Sequence, residues 1–184
     1  MKKKFSWKNV GVSSFVVGGV LMFASAQVMA ELSADVQSKI KTYQGKLATW
    51  AKDPDVISAI NTMNSESSSM DNKSWKALSA EDPVVEKYLS SSAGKKLSAW
   101  QQDKTLGKLF IRDKNGNFVA GSKKPAIYNI SDRAPFKNAM KGSAWNSKKA
   151  KTDPTTKLPS VQLSYPVISG GQNIGIIHTA IILD

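Results

Sequence analysis

The sequence contains no cysteine and a single histidine, His178. The absence of cysteine excludes disulfide bonds, thiolate metal sites and cysteine nucleophiles. His178 has no second histidine or carboxylate near it in the sequence, so neither a metal site nor a catalytic role is expected there. The sequence also lacks a P-loop, a dinucleotide fingerprint and the common hydrolase motifs. We therefore expect a protein that is not an enzyme, with no catalytic residues, no metal and no cofactor.

Negative charge is scarce in the second half of the chain. The 184 residues carry a net charge of +12 and are enough for one domain. Residues 31–103 have 9 Lys and 10 Asp or Glu, whereas residues 104–184 have 13 Lys or Arg and 4 Asp or Glu. This excess of positive charge favours anionic partners. Nucleic acid is not expected, because no recognition motif is present.

The first thirty residues have the pattern of a secretory signal peptide. Four lysines precede an uncharged, mostly apolar stretch over residues 10–26, and Val28-Met29-Ala30 fits a cleavage site. The alternative is an uncleaved N-terminal membrane anchor, because residues 10–30 are almost long enough to span a bilayer. Both interpretations place residues 31–184 outside the cytoplasm, in a periplasm, as one domain.

Residues 107–122 carry a β-hairpin pattern. Leu109 and Ile111 alternate with Lys108 and Arg112, and the Asp-Lys-Asn-Gly segment that follows has turn chemistry. A hairpin cannot bury its own apolar face, so further strands and a covering layer are expected.

Other segments of the sequence predict these further strands and the helices that cover the sheet. Apolar residues at helical spacing from Leu32 to Trp50 predict a long helix, and short helices follow up to residue 103. A further helix is expected over residues 132–141, with Ser131 or Asp132 as its cap. Weak strand character around Trp145 precedes two stronger strands, at residues 161–167 and 174–183.

These elements predict an α+β fold with a helical lead-in over residues 31–103 and a sheet over residues 104–184. The sheet is expected to be antiparallel and five-stranded, with the long N-terminal helix packed on one face. The last strand is nearly all apolar, so we expect it to lie inside the sheet and to pair with the first.

The order of four stretches resembles the extracytoplasmic Cache domain, a PAS-like sensor module of bacterial receptors, in its stand-alone single-Cache form. The stretches are LFIRDKNGNFVAGS, YNISDRAPFKNAMKG, TDPTTKLPSVQLSYPVISGGQNIGIIHTAIIL, and the helical pair AKDPDVISAIN and DPVVEKYL. The resemblance implies a five-stranded PAS-like sheet, a small-ligand pocket and a homodimer formed through the N-terminal helix. Amino-acid-binding relatives carry Arg followed by Trp-Tyr on the pocket helix, whereas here Arg133 is followed by Ala-Pro-Phe.

The predicted ligand-binding residues lie where the resemblance places the pocket. A guanidinium can bind a carboxylate through two hydrogen bonds, which makes Arg133 the leading candidate. Asp132 can meet an ammonium group or cap the helix, and Asp153 can contact a ligand or serve only as a turn residue. Tyr128 and Phe136 can form the pocket wall or belong to the core.

Two functions follow from this pattern. The first is an exported sensor that binds a small carboxylate or other anion and signals through a separate membrane-bound receptor or kinase. The alternative is a structural or interaction protein that docks a partner, or an anionic envelope surface, through a basic face. That face contains the lysines at positions 123, 124, 137, 141, 148, 149, 151 and 157.

Overall fold

The structure, a computed structural model, describes residues 32–183. The predicted signal peptide therefore lies outside the described residues. Among the described residues, no helix combines the length and the apolar character that a membrane span requires. In chain order the elements are α1 (Ala34–Trp50), α2 (Pro54–Ser65), α3 (Asn72–Ala77), α4 (Pro83–Leu89), α5 (Ser92–Trp100), β1 (Leu106–Asp113), β2 (Phe118–Gly121), α6 (Ala134–Ala139), β3 (Trp145–Asn146), β4 (Lys151–Thr152), β5 (Pro159–Ser169) and β6 (Gln172–Ile182).

Short polar side chains start the five helices of the lead-in. Each capping side chain accepts a hydrogen bond from a backbone N–H of the first turn, which satisfies a group that the helix itself leaves unpaired. The Asp-Pro pairs add a proline whose fixed φ suits the first helical turn. The capping residues are Ser33, Asp53, Asp71, Asp82 and Ser91.

The strands form one antiparallel sheet in the order β2-β1-β6-β5-β3, and β4 pairs with the first two residues of β5. The predicted pairing of the last strand with the first is confirmed, with Phe110 opposite His178. The predicted count of five strands is one too few, because Lys151–Thr152 pairs with Pro159 and Ser160. Two residues are too short for an alternating pattern, so the sequence carried no signal for this strand.

The lead-in helices cover one face of the sheet. Ile40, Leu47 and Ile60 from α1 and α2 pack in one apolar cluster with Leu109 and Ile111 of β1. The prediction that the long helix packs on the sheet is thus confirmed. Because side chains alternate along a strand, Lys108, Phe110 and Arg112 belong to the opposite face, called the far face below.

Loops and one short helix cover the far face. Residues 122–131, called the pocket loop, connect β2 to the turn before α6. The loop is held to the first hairpin by Asn129, whose side-chain amide donates to the carbonyl of Asn115 at 2.9 Å. It is held to α3 by Trp75, whose indole N–H donates to the carbonyl of Pro125 at 2.8 Å. The pocket loop is therefore joined both to the sheet and to the helical lead-in.

Candidate ligand-binding cavity

A cavity of about 170 Å³ lies between the far face, the pocket loop, the start of α6 and the turn after β4. This is the place where the sequence predicted a pocket. The strands contribute Lys108, Phe110, Arg112, Gln162 and His178 to its lining. The loops and α6 contribute Pro125, Ala126, Ile127, Ile130, Arg133, Ala134, Pro135, Pro154 and Thr155.

Strand register brings the polar lining residues together. Phe110 of β1 lies opposite His178 of β6, which in turn lies opposite Ser164 of β5. One step along the far face, Lys108 and Gln162 both lie opposite Ala180. Residues far apart in sequence therefore share one small patch of the sheet.

Lys108 and Asp153 form a buried ion pair beside this patch. The Lys108 ammonium donates to Oδ2 of Asp153, and both side chains are almost completely buried. The N–H groups of Thr155 and Thr156 donate to Oδ1 at 2.9 and 3.0 Å, and Gln162 donates to Oδ2 at 3.1 Å. Burial raises the pKa of Asp153, but the Lys108 charge and these N–H groups outweigh it and leave the pKa below its ordinary value. Asp153 is therefore an anchored carboxylate whose charge Lys108 already balances.

Arg112 is buried in the cavity wall and holds the pocket loop. Its Nη1 donates to the carbonyl of Tyr128, and its Nη2 donates to the carbonyl of Ile127 at 3.2 Å. Its Nε donates to Nε2 of His178, also at 3.2 Å. A guanidinium has five N–H groups, so one on each Nη has no acceptor among residues 32–183.

The charge of Arg112 has no carboxylate partner within the described part of the chain. Its exposed fraction is 1%, and no ion pair to it is formed there. Burial lowers the pKa of Arg112 to about 9, because desolvation disfavours the charged form. Two neutral carbonyl groups, the ring faces of Phe110 and Phe118 at 5.7 and 5.3 Å, and the nearby charge of Asp113 compensate only part of this cost. The cavity therefore holds a buried positive charge that an anion would neutralise.

His178 is expected to make the folding stability depend on pH. Burial, with the charges of Arg112 and Lys108 added, lowers the pKa of His178 well below its ordinary value of 6.5. Below pH 6.5 the unfolded chain binds a proton that the folded protein does not, so the free energy of unfolding falls on acidification, by up to about 1.4 kcal/mol per pH unit. Carboxylates with lowered pKa values, such as Asp153, lose their contribution only below about pH 5.

Urea denaturation at pH 7, 6 and 5 measures this loss, and the His178→Gln variant serves as the control. We expect the stability of the variant to change less over this range than that of the unaltered protein. Equal pH dependence in the two proteins would contradict a neutral His178 in the folded state.

Of the predicted site residues, Arg133 lines the cavity. Asp153 does not line it but is paired with Lys108, which does. More than half of the Arg133 side chain is exposed, so this residue lies at the solvent side. Asp132 is still more exposed, does not line the cavity, and forms an ion pair with Arg133 at 3.4 Å. The expectation that Ser131 or Asp132 caps the helix is wrong: Arg133 occupies the capping position and makes no side-chain cap hydrogen bond. The carboxylate of Asp132 is instead directed to the guanidinium of its neighbour.

Tyr128 and Phe136 are buried outside the lining of this cavity. The Tyr128 ring packs in an aromatic cluster with Trp75 and Phe118, and its hydroxyl is bonded to Ser68 at 2.8 Å. Only its backbone carbonyl takes part in the site, as the acceptor for Arg112. Phe136 packs with Ile130 and other apolar residues beneath α6. Both rings thus shape the surroundings of the cavity.

Four polar lining residues from the strands were not among the predicted site residues: Lys108, Arg112, Gln162 and His178. Alternation placed Lys108, Arg112 and Gln162 on one face of their strands, but the same pattern is found on a face open to water. For His178 the partners come from β1, about seventy residues earlier. The expected pairing of the last strand with the first identifies these partners only when the residue-by-residue register of the two strands is known.

A second concavity, of about 330 Å³ and lined by three lysines, adjoins the cavity and is called the basic groove. It shares Ala134, Pro135 and Gln162 with the cavity. Trp145, Ser147, Lys148, Lys149 and Lys151 complete its lining. Three lysines of the basic face that the sequence predicted therefore lie beside the cavity, where they attract anions.

No protein-family model matches the chain, and no curated protein matches it. The residues within 32–183 also contain no group of three histidine or acidic side chains placed to hold a metal ion.

Solved structures similar to this chain include sensor and ligand-binding domains. The sensor domain of the V. cholerae histidine kinase DctB is 17% identical with a TM-score of 0.46, over 82% of this chain and 58% of that one. The ligand-binding domain of the Pseudomonas fluorescens chemoreceptor CtaA, in complex with L-serine, is 16% identical with a TM-score of 0.47, over 80% and 52%. That of the Pseudomonas aeruginosa amino acid chemoreceptor PctC, in complex with GABA, is 16% identical with a TM-score of 0.45, over 81% and 55%. The chain thus spans little more than half the length of these domains, and the function proposed below is based on its own cavity.

Proposed function

We propose that this protein is an exported, non-enzymatic sensor domain that binds a small anion, of which a carboxylate is the best candidate, in the cavity beneath the pocket loop. Binding would be reported to a separate membrane-bound partner, a receptor or a kinase. Arg112 is the principal ligand-binding group, and Arg133 contributes from the rim.

The observation that carries this proposal is that the guanidinium of Arg112 is buried and only partly hydrogen-bonded. Its charge is buried without a carboxylate, and two of its N–H groups lack an acceptor within residues 32–183. Leaving a buried charge uncompensated costs several kcal/mol. An anion that accepts these two hydrogen bonds would recover much of that free energy, and charge-assisted hydrogen bonds of this kind are among the strongest in proteins.

The size of the cavity limits the ligand. Its volume of about 170 Å³ is close to the roughly 150 Å³ of an engineered apolar cavity that admits benzene. A ligand of about six non-hydrogen atoms fits such a space. Propionate and lactate meet both requirements, because each combines one carboxylate with a short carbon chain.

The contacts of Arg112 also suggest how binding would be passed on. The guanidinium that would bind the anion already holds two carbonyls of the pocket loop. The loop is joined to α3 through Trp75. A ligand that forms hydrogen bonds to the same guanidinium would change the equilibrium between conformations of the pocket loop. Because the loop is joined to α3, the helical lead-in would move with it.

A thermal-shift screen with matched pairs of compounds tests the proposal. Propionate and lactate should raise the melting temperature, whereas the neutral amides propionamide and lactamide should not. A ligand at a hundredfold excess over its Kd stabilises the folded state by about 2.7 kcal/mol. If no small anion stabilises the protein, the proposed function is wrong and docking through the basic face becomes the better explanation.

Arg133→Ala is expected to weaken anion binding by about fivefold. The side chain is more than half exposed and is already paired with Asp132, and exposed ion pairs contribute up to about 1 kcal/mol. Calorimetric titration with propionate gives the affinity. The control is Lys137→Ala, which removes the same charge from an exposed position of α6 outside the cavity lining. Equal affinities for the two variants would remove Arg133 from the site.

A further inference from the structure

His178 lies at the centre of the far face, and its ring is almost completely buried. Only 4% of the residue is exposed, although it belongs to the cavity lining. Phe110, its neighbour on β1, contacts it edge-on with 5.4 Å between ring centroids. The position of the ring in the cavity wall is therefore fixed by strand pairing and packing.

The contact with Arg112 determines which ring nitrogen carries the hydrogen. The Nε of an arginine is always a donor, and here it donates to Nε2 of His178 at 3.2 Å. Nε2 must then be an acceptor. Since burial and the neighbouring positive charges keep the ring neutral, its single hydrogen lies on Nδ1.

That Nδ1 has no hydrogen-bond partner within the described residues, although it is buried. A buried donor without an acceptor costs about 1–3 kcal/mol, and such a group in a folded protein calls for an explanation. His178 belongs to the lining of the cavity, so a ligand bound there is a possible source of this acceptor.

We propose that the Nδ1–H of His178 is a ligand-binding donor that selects ligands with an acceptor oxygen at this position. The proposal rests on the function proposed above and extends it, because Arg112 then binds the charged group of the ligand while Nδ1 of His178 donates to one of its oxygen atoms. A ligand that places an ammonium or a methyl group there leaves the Nδ1 donor unpaired and is rejected.

Nitrogen NMR tests the first part of this proposal in the ligand-free protein. The chain has one histidine, so protein labelled with 15N-histidine gives one signal for each ring nitrogen. We expect the hydrogen on Nδ1 and an unprotonated Nε2 at pH 7. The opposite tautomer, or a doubly protonated ring, would overturn the proposal.

A titration of the labelled protein with propionate and lactate tests the second part. The Nδ1 signal should move as the site fills, in step with the stabilisation seen by thermal shift. If either anion stabilises the protein while the Nδ1 signal stays in place, His178 does not contact the ligand and the proposed function stands alone. If neither anion binds, both proposals fail.

A variant separates ligand contact from structural support. In His178→Gln the side-chain oxygen lies near the former Nε2 and can still accept from Arg112, but the Nδ1 donor is lost. We expect at least about a tenfold loss of propionate affinity, since a hydrogen bond to a charged group has this value or more. His178→Asn, whose amide lies near the former Nδ1, should recover part of that loss. Unchanged affinity in His178→Gln would overturn the proposal.

Discussion

Asp153→Asn is expected to destabilise the protein by about 3–5 kcal/mol, because it leaves the Lys108 ammonium buried without a counter-charge. The amide can still accept from the N–H groups of Thr155 and Thr156, so the turn after β4 should keep its shape. The loss has an upper limit of about 5 kcal/mol, since at that cost an ordinary lysine simply gives up its proton at pH 7. Urea denaturation measures the change.

The double variant Lys108→Met, Asp153→Asn is the control for this experiment. Replacing both partners of a buried ion pair removes the uncompensated charge, and an apolar side chain of similar length fills the space. We expect the double variant to recover more than half of the stability lost by Asp153→Asn. A loss of less than 1 kcal/mol in the single variant would mean that water reaches the pair and that the wall of the cavity is not closed there.

Arg112→Met is expected to reduce the affinity for propionate by at least about a hundredfold. The variant removes both free N–H groups and the buried charge, and two charge-assisted hydrogen bonds are together worth about 3 kcal/mol or more. It also leaves the carbonyls of Ile127 and Tyr128 without their donor, so the pocket loop should become more mobile. Calorimetry gives the affinity, and hydrogen exchange in residues 122–131 reports on the loop.

Arg112→Lys tests whether binding needs only the positive charge or also the shape of the guanidinium. It also provides a second test if Arg112→Met does not fold. Lysine keeps the positive charge but cannot reach two loop carbonyls and His178 at once, because its three donors lie on one atom. We expect binding weaker than that of the unaltered protein and lower protection of the pocket loop from exchange. If Arg112→Met binds propionate within fivefold of the unaltered protein, Arg112 is a structural residue and the anion, if any, binds elsewhere.

The sequence predicted the layers of the fold and the approximate place of the cavity for clear physical reasons. Leu109 and Ile111 alternate with polar residues, and the apolar last strand requires a neighbour on each side, so the central pairing followed from burial alone. The added strand at Lys151–Thr152 did not follow, because two residues are too few to show an alternating pattern.

Less of the cavity lining followed from the sequence, because the lining combines residues from different strands and loops. Asp153, predicted as a ligand-binding residue, is paired with Lys108, which lines the cavity but lies forty-five residues earlier in the sequence. Arg112 looked like the outward residue of a hairpin strand, and only the pocket loop above it makes it a buried cation. Arg133, the residue with the clearest sequence signal, lies at the rim because α6 begins there.

A crystal structure of the purified protein at saturating propionate shows whether the anion binds at Arg112. We expect density for one carboxylate in the cavity, with oxygen atoms about 3 Å from the Nη atoms of Arg112 and one oxygen within hydrogen-bond distance of Nδ1 of His178. A cavity without the anion, or propionate bound only among the lysines of the basic groove, would contradict it.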